Sequence, residues 1–240
     1  MTDTWGVQRR LVAAGYPVTV DGVPGRETIA AVRAFQAKAG LVVDGIAGPK
    51  TVAALNAAVP VSPALPQLDA GDIVPPWIEN IRQRIGLQER RDNKALRQYL
   101  DSDGSTIGDP AKIPWCGDLV QTGFALTLPA EVLPANPFYA LNWADWGVPV
   151  PKGMVPLGAV GTKKRVDDHG HLVGGHVFEV VGHDETHFHA LGGNQSNSIA
   201  IVLIAKGKLN GSLRWPKTYP LPTRGLPLTT IDATINASEA

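Results

Sequence analysis

Pro114-Trp115-Cys116-Gly117-Asp118 opens an apolar stretch that reads as a helix to about Leu128, and Cys116 is the only cysteine of the chain. About sixty residues later, Gly174-Gly175-His176-Val177 opens a strand in which His176, Phe178 and Val180 alternate with Val177, Glu179 and Val181. Pro114 suits a first helical turn, where no N–H is needed, so free backbone N–H groups should point at the Cys116 sulfur. The same groups could stabilise an oxyanion on an attacked carbonyl. The thiolate is the reactive species, and an ordinary thiol near pKa ~8.5 is barely ionised at pH 7. Bringing it to ~6.5 takes about 2.7 kcal/mol of differential stabilisation. A helix terminus supplies ~0.3–1 kcal/mol and at most ~2, so a second positive group must approach the sulfur. His176 is the candidate, as general base and then general acid.

A third polar group must hold the imidazole in the productive tautomer. Asn194, in Leu191-Gly192-Gly193-Asn194-Gln195, follows the next expected strand and can return beside His176. All six histidines lie between positions 169 and 189. His169 and His171 read as part of a solvated polar loop with Lys163-Lys164-Arg165 and Asp167-Asp168, and His187 and His189 share one strand face. Trp115, beside the nucleophile, is a candidate groove residue, with Asp118, Gln195 and Trp143 as further candidates. Trp143 and Trp146 are three apart and so share a helix face, which also suits core packing. Asp118 reads as an acid favoured by the helix dipole, or as a contact for a substrate amine.

Residues 1–59 contain a near-repeat. Val20-Asp21-Gly22-Val23-Pro24-Gly25 with Thr28 returns 23 positions later as Val43-Asp44-Gly45-Ile46-Ala47-Gly48 with Thr51. In each copy Asp-Gly makes a tight turn and the Thr sits where a helix begins. Ile29, Ala31, Val32 and Phe35 fall on one helical face, Val52 and Leu55 on another, and Val7, Leu11 and Val12 on an earlier helix. A compact three-helix unit is expected. Five prolines between positions 60 and 76 make a stiff linker. Helices are expected around Trp77–Ile85 and Leu96–Leu100, strands at 157–161, 175–182, 186–191 and 199–205, and a loose tail over 221–240. The fold class is α+β.

The 240 residues are 44% hydrophobic, enough for a proper core, and formal net charge is zero. No global field draws the chain to nucleic acid or an anionic membrane. One cysteine excludes an internal disulfide. Met1–Arg10 has no apolar segment of the secretory kind, and no run approaches a membrane span. Neither a cofactor nor a metal is expected.

Residues 7–56, including Phe35-Gln36 and Gly40-Leu41, resemble the three-helix peptidoglycan-binding domain found at the ends of many cell-wall hydrolases. Residues 77–216 resemble a CHAP or NlpC-type papain-like cell-wall hydrolase of a phage- and prophage-associated group. The marks are Pro114-Trp115-Cys116, Leu141-Asn142-Trp143-Ala144-Asp145-Trp146-Gly147, Gly175-His176-Val177, Leu191-Gly192-Gly193-Asn194-Gln195 and Arg214-Trp215-Pro216. The resemblance implies an antiparallel sheet packed on the nucleophile helix, with Cys116 as nucleophile, His176 as base and Asn194 as orienter. His189 is the alternative third member, because a related branch uses a His on the neighbouring strand. The implied domains are 1–59 for wall binding, 60–76 as linker, 77–220 for catalysis and 221–240 as tail.

The resemblance further implies a monomer that cleaves a peptidoglycan amide, at N-acetylmuramoyl-L-alanine or within the stem peptide or cross-bridge. It also implies a protein made in a host cytoplasm without a signal peptide and acting at the wall after release, as phage endolysins do. Two departures stand out. Residues 161–174 are longer and more charged than such enzymes lead one to expect, and Asp118 replaces a small apolar residue. The alternatives are a zinc-dependent peptidase using the 169–189 histidines with Asp184, and a non-catalytic wall-binding protein.

Overall fold

The computed structural model describes residues 4–18, 23–58 and 74–228. Most of the expected linker, the first Asp-Gly turn and positions 229–240 lie outside these residues.

The N-terminal segment forms three helices, α1 (Thr4–Ala13), α2 (Arg26–Lys38) and α3 (Pro49–Ala58). Their core is Val7, Leu11, Val18, Ala31, Val32, Phe35 and Leu55. Ile29, expected inside, is 37% exposed, because Ala31, Val32 and Phe35 already fill the inward stripe of α2. The sequence repeat corresponds to a repeated hydrogen-bond knot. Gln8 Nε2 donates to the Val23 carbonyl and to Thr28 Oγ1, both at 2.9 Å. In the second copy Gln36 Nε2 donates to the Ile46 carbonyl and to Thr51 Oγ1, both at 3.0 Å. Gln36 Oε1 also accepts from Gly45 N–H at 2.9 Å. Each buried amide satisfies a loop that would otherwise leave polar atoms unpaired. In the second copy Asp44, Gly45 and Thr51 therefore build a loop.

The remainder is α+β. Three helices, α4 (Pro76–Arg82), α5 (Asn93–Leu100) and α6 (Cys116–Thr127), accompany a six-stranded antiparallel sheet. Its strands are β1 (Val148–Pro149), β2 (Val160–Val166), β3 (Leu172–His183), β4 (His187–Gln195), β5 (Ser198–Ala205) and β6 (Arg214–Trp215), in the order β1-β6-β2-β3-β4-β5. α6 is buried at every position from Cys116 to Phe124, its polar Asp118, Gln121 and Thr122 included. Gly123 lets α4 close on it, since a Cβ there would stand 2.7 Å from Ile81 Cδ1.

An aromatic cluster closes the core. Trp77, Phe124 and Trp215 are fully buried, and Tyr219 packs its ring 5.0 Å from that of Trp77. Trp143 and Trp146 join this cluster, with ring centroids 4.9 Å apart. Among the described residues no helix is long and apolar enough to cross a membrane.

Two expectations are corrected here. Lys163-Lys164-Arg165 belongs to β2, not to a loop, because β2 and β3 pair from Val160–Glu179 out to Val166–Leu172 as one long hairpin. The segment after 220 is also docked as far as it is described. Leu226 N–H donates to the Val155 carbonyl at 2.8 Å, and the Leu226 carbonyl meets His183 Nε2 at 3.0 Å.

Candidate active site

α6 begins at Cys116, with Trp115 as its N-cap, so Pro114 stands just before the cap and not in the first turn. The Trp115 indole N–H donates to Glu89 Oε2 at 3.1 Å, which fixes the cap in the core. Gly117 is required by a crossing chain, since a Cβ there would lie 2.4 Å from the Phe138 carbonyl oxygen. The backbone N–H groups of Val177, Gly117 and Cys116 face the Cys116 sulfur closely enough to favour its thiolate. Those of Cys116 and Gly117 are free donors of a helix start. That of Val177 belongs to the residue that follows His176.

Sheet geometry explains how a helix start can reach a strand backbone. β3 and β4 pair from His183–Phe188 only as far as Glu179–Leu191. Beyond that point β3 stays with β2, while β4 stays with β5. The two strands part, and the α6 N-terminus meets both sides of the gap. On the β4 side, Gly193 leaves room for the Trp115 ring, which would be 2.5 Å from a Cβ there.

A bulge then shifts β4. Residues 193 and 194 together oppose Ile199 alone, because Gly192 pairs with Ala200 and Gln195 with Ser198. Asn194 adopts φ 60°, a left-handed conformation that Asn tolerates. The Asn194 side chain turns to the helix, its Oδ1 accepting from Trp115 N–H at 3.4 Å. Gln195 instead takes the place beside His176. A Cβ on Gly192 would lie 2.9 Å from Gln195 Nε2 and 3.5 Å from His176 Nε2. The Gln195 amide donates to the carbonyls of Ala190 (3.1 Å) and Ala200 (2.7 Å). Gln195 Oε1 and both His176 ring nitrogens are buried without a hydrogen bond, and the nearby Gln195 amide favours the protonated ring.

The resting charges differ from an ion pair. Burial pushes the Cys116 thiol up, against the nearby backbone N–H groups and the Arg165 charge, which lower it. Burial lowers His176 to about 3, and Arg165 and Lys163 push it in the same direction. Cys116 is 6% exposed and His176 1%, so neither charged form is solvated. The pair rests as neutral thiol and neutral imidazole.

The other expected site residues are placed differently. Trp115, Trp143, Asp118 and Gln195 are all fully buried, so none lines an open groove. Asp118 holds a neighbouring loop, Oδ2 accepting from Thr106 Oγ1 at 2.9 Å and Ile107 N–H at 3.1 Å. Burial raises its carboxyl to about 6. His189 pairs with Gly182, six residues along β3 from His176. At ~3.3 Å per residue that is about 20 Å, too far to orient the ring. β3 also separates the histidines, with His169 and His171 before its start and His183, His187 and His189 at its other end. Among the described residues no group of three or more His, Cys, Asp or Glu is placed to hold a metal ion.

Sequence reasoning missed Lys163 and Arg165. Lys163 is the cross-strand partner of His176, and Arg165 that of Gly174. The signal was present in the β-branched residues Val160, Thr162 and Val166 at even positions, which extend a strand into the supposed loop. It also missed Glu179, fully buried three residues along β3 from His176 and on the opposite face, with neither carboxylate oxygen bonded, whose carboxyl burial pushes well above its ordinary range.

Residues 6–55 match the family described as "Putative peptidoglycan binding domain". The three-helix unit is thus a peptidoglycan-binding domain, and peptidoglycan is the partner it points to. No match was found among curated proteins or solved structures.

Proposed function

We propose that the protein is a thiol hydrolase of peptidoglycan, anchored by its N-terminal domain and cleaving a wall amide with Cys116 and His176 in a papain-like unit. The observation that carries this reading is the packing of the α6 start where β3 and β4 part: Trp115 lies against Gly193, the neighbour of Gly192, which faces His176 Nε2, and the Trp115 N–H donates to Asn194. Backbone N–H groups near the sulfur favour its thiolate and suit, once it has attacked, the oxyanion formed on the carbonyl. His176 takes the thiol proton and returns it to the leaving amine, and water then releases the acyl group. Gln195 is the proposed orienter of His176, because the β4 bulge directs Asn194 to the helix cap. The proposed setting is a phage or prophage lysin, made in the host cytoplasm and acting at the wall.

Cys116→Ala should lower lysis of purified sacculi by roughly 10⁴-fold while leaving sacculus binding intact. Undiminished lysis would refute the assignment. Burial of the sulfur favours a second reading, a non-catalytic wall-binding protein, and on that reading the native protein releases no muropeptides at all.

A further inference from the structure

β5 is one edge of the sheet, and β1 is the other. Its sequence, Ser198-Ile199-Ala200-Ile201-Val202-Leu203-Ile204-Ala205, carries no charge and no proline. Edge strands ordinarily carry such residues, because a free row of N–H and C=O groups templates another strand. The start of this row is already used. The Ile199 carbonyl accepts from Gly86 N–H at 2.8 Å, and Ile199 N–H donates to the Leu87 carbonyl at 3.0 Å. The Ile199 backbone therefore points away from β4, and by the period of two so do those of Ile201, Leu203 and Ala205. Lys206 agrees with that phase, its N–H turning inward to the Thr186 carbonyl at 2.8 Å. Among the described residues nothing satisfies the outward groups of Ile201, Leu203 and Ala205. Val202 and Leu203 are only partly buried, so apolar surface accompanies the open backbone.

An edge of this kind is complementary to itself. Two copies laid antiparallel about a two-fold axis at Leu203 match in hydrogen-bond phase, because outward residues face outward residues. Leu203 then meets its own symmetry mate, Ile201 meets Ala205 of the partner subunit, and Val202 meets Ile204 of the partner subunit. Lys206 falls opposite Ala200 of the partner subunit, so no like charges are set face to face. The ladder fits between the 86–89 segment at one end and the 3-10 turn over Lys206–Lys208 at the other. Pairing also stops at two copies. The opposite edge, β1, is only Val148–Pro149 and ends in a proline, so it offers no ladder for a third.

We propose that the β5 strands of two copies pair along Ile201–Ala205 and join their sheets into a symmetric homodimer. So short a ladder buries less than a standard interface, which sets the expected Kd at about 1–100 µM. The dimer carries two peptidoglycan-binding domains, and bivalent attachment should tighten binding to sacculi by about tenfold or more. The inference is independent of the hydrolase reading.

The test is sedimentation equilibrium of the full-length chain from about 1 to 200 µM, a range that brackets the expected Kd. Two variants accompany it. Ala205→Pro suits a residue at φ −57° and removes only an outward N–H. Leu203→Lys sets like charges together at the axis. The native mass should rise with concentration from one chain toward two, and both variants should stay at one chain. Sacculus binding by the variants should be about tenfold weaker than native binding at concentrations where the native chain is dimeric. Thermal melting checks that each variant is folded; either serves without the other, and the native masses stand without both. The mass of a monomer at every concentration, masses beyond a dimer, or a dimer that survives in a folded variant would overturn the pairing. Equal sacculus binding by native and monomeric protein would overturn the bivalent attachment.

Discussion

At the scale of single residues, Gln195 and Asn194 are neighbours with opposite assignments. Gln195→Ala removes the amide beside His176, and kcat should fall about 10–100-fold with KM little changed. Asn194→Gly keeps the left-handed backbone and loses only a bond to Trp115 N–H, so kcat should fall less than about tenfold. Steady-state rates on soluble muropeptides check both, and the reverse order would return the orienting role to Asn194. Asp118 gives a pH prediction. Its native carboxyl, raised to about 6, binds a proton more tightly than the unfolded one. The native state therefore holds the extra proton between about pH 4 and 6, and stability falls as pH rises through that window. Asp118→Asn should remove this slope and raise Tm at pH 7 by a few degrees, about 1 kcal/mol once partial solvent screening is allowed for. Melting curves at pH 5 and pH 8 decide it; an unchanged slope would place the effect elsewhere.

Elements were unequally legible in the sequence. α6, β3 and β5 could be read because a long apolar run and a strict alternation each specify one period. Cys116 at a helix start and His176 on a strand followed from that. The third group could not be read. A simple strand would put 192 and 194 on one face, and the Asn194 bulge moves 195 into that place. No composition signal announces a bulge of this kind. The β2 boundary failed for another reason, since Lys163-Lys164-Arg165 looks solvated in one dimension and becomes a cross-strand wall only when β3 returns. Charge state was invisible as well, because burial is a property of the assembled core. Gly117 is the clearest test at this scale. Gly117→Ala sets a Cβ against the Phe138 carbonyl, which is backbone and cannot rotate away. A loss of about 1–3 kcal/mol is expected, with a larger fall in activity than in Tm alone would imply. Denaturant melts and rates on the same preparation check it, and a wild-type rate would show that the crossing chain does not hold the sulfur in place.

For the whole molecule, the described residues form two separate hydrophobic cores, to which the proposed reading gives two tasks. The Gln8 and Gln36 knots were foreshadowed by the 23-residue repeat, although the glutamines themselves lie outside the repeated motif. Removing residues 1–58 should weaken binding to sacculi strongly yet leave cleavage of soluble muropeptides within about threefold, measured by pull-down and by muropeptide chromatography. Loss of soluble cleavage would show that the domain does more than anchor. The C-terminal boundary was misjudged because Pro-rich sequence reads as slack, while Leu226 returns to Val155 by a backbone bond that leaves no periodic trace.

The cover over Cys116 has a chemical consequence beyond catalysis. Peroxide attacks thiolates, so a sheltered sulfur that keeps its proton at neutral pH oxidises slowly. The chain's one thiol is held in the form that best survives contact with oxidants.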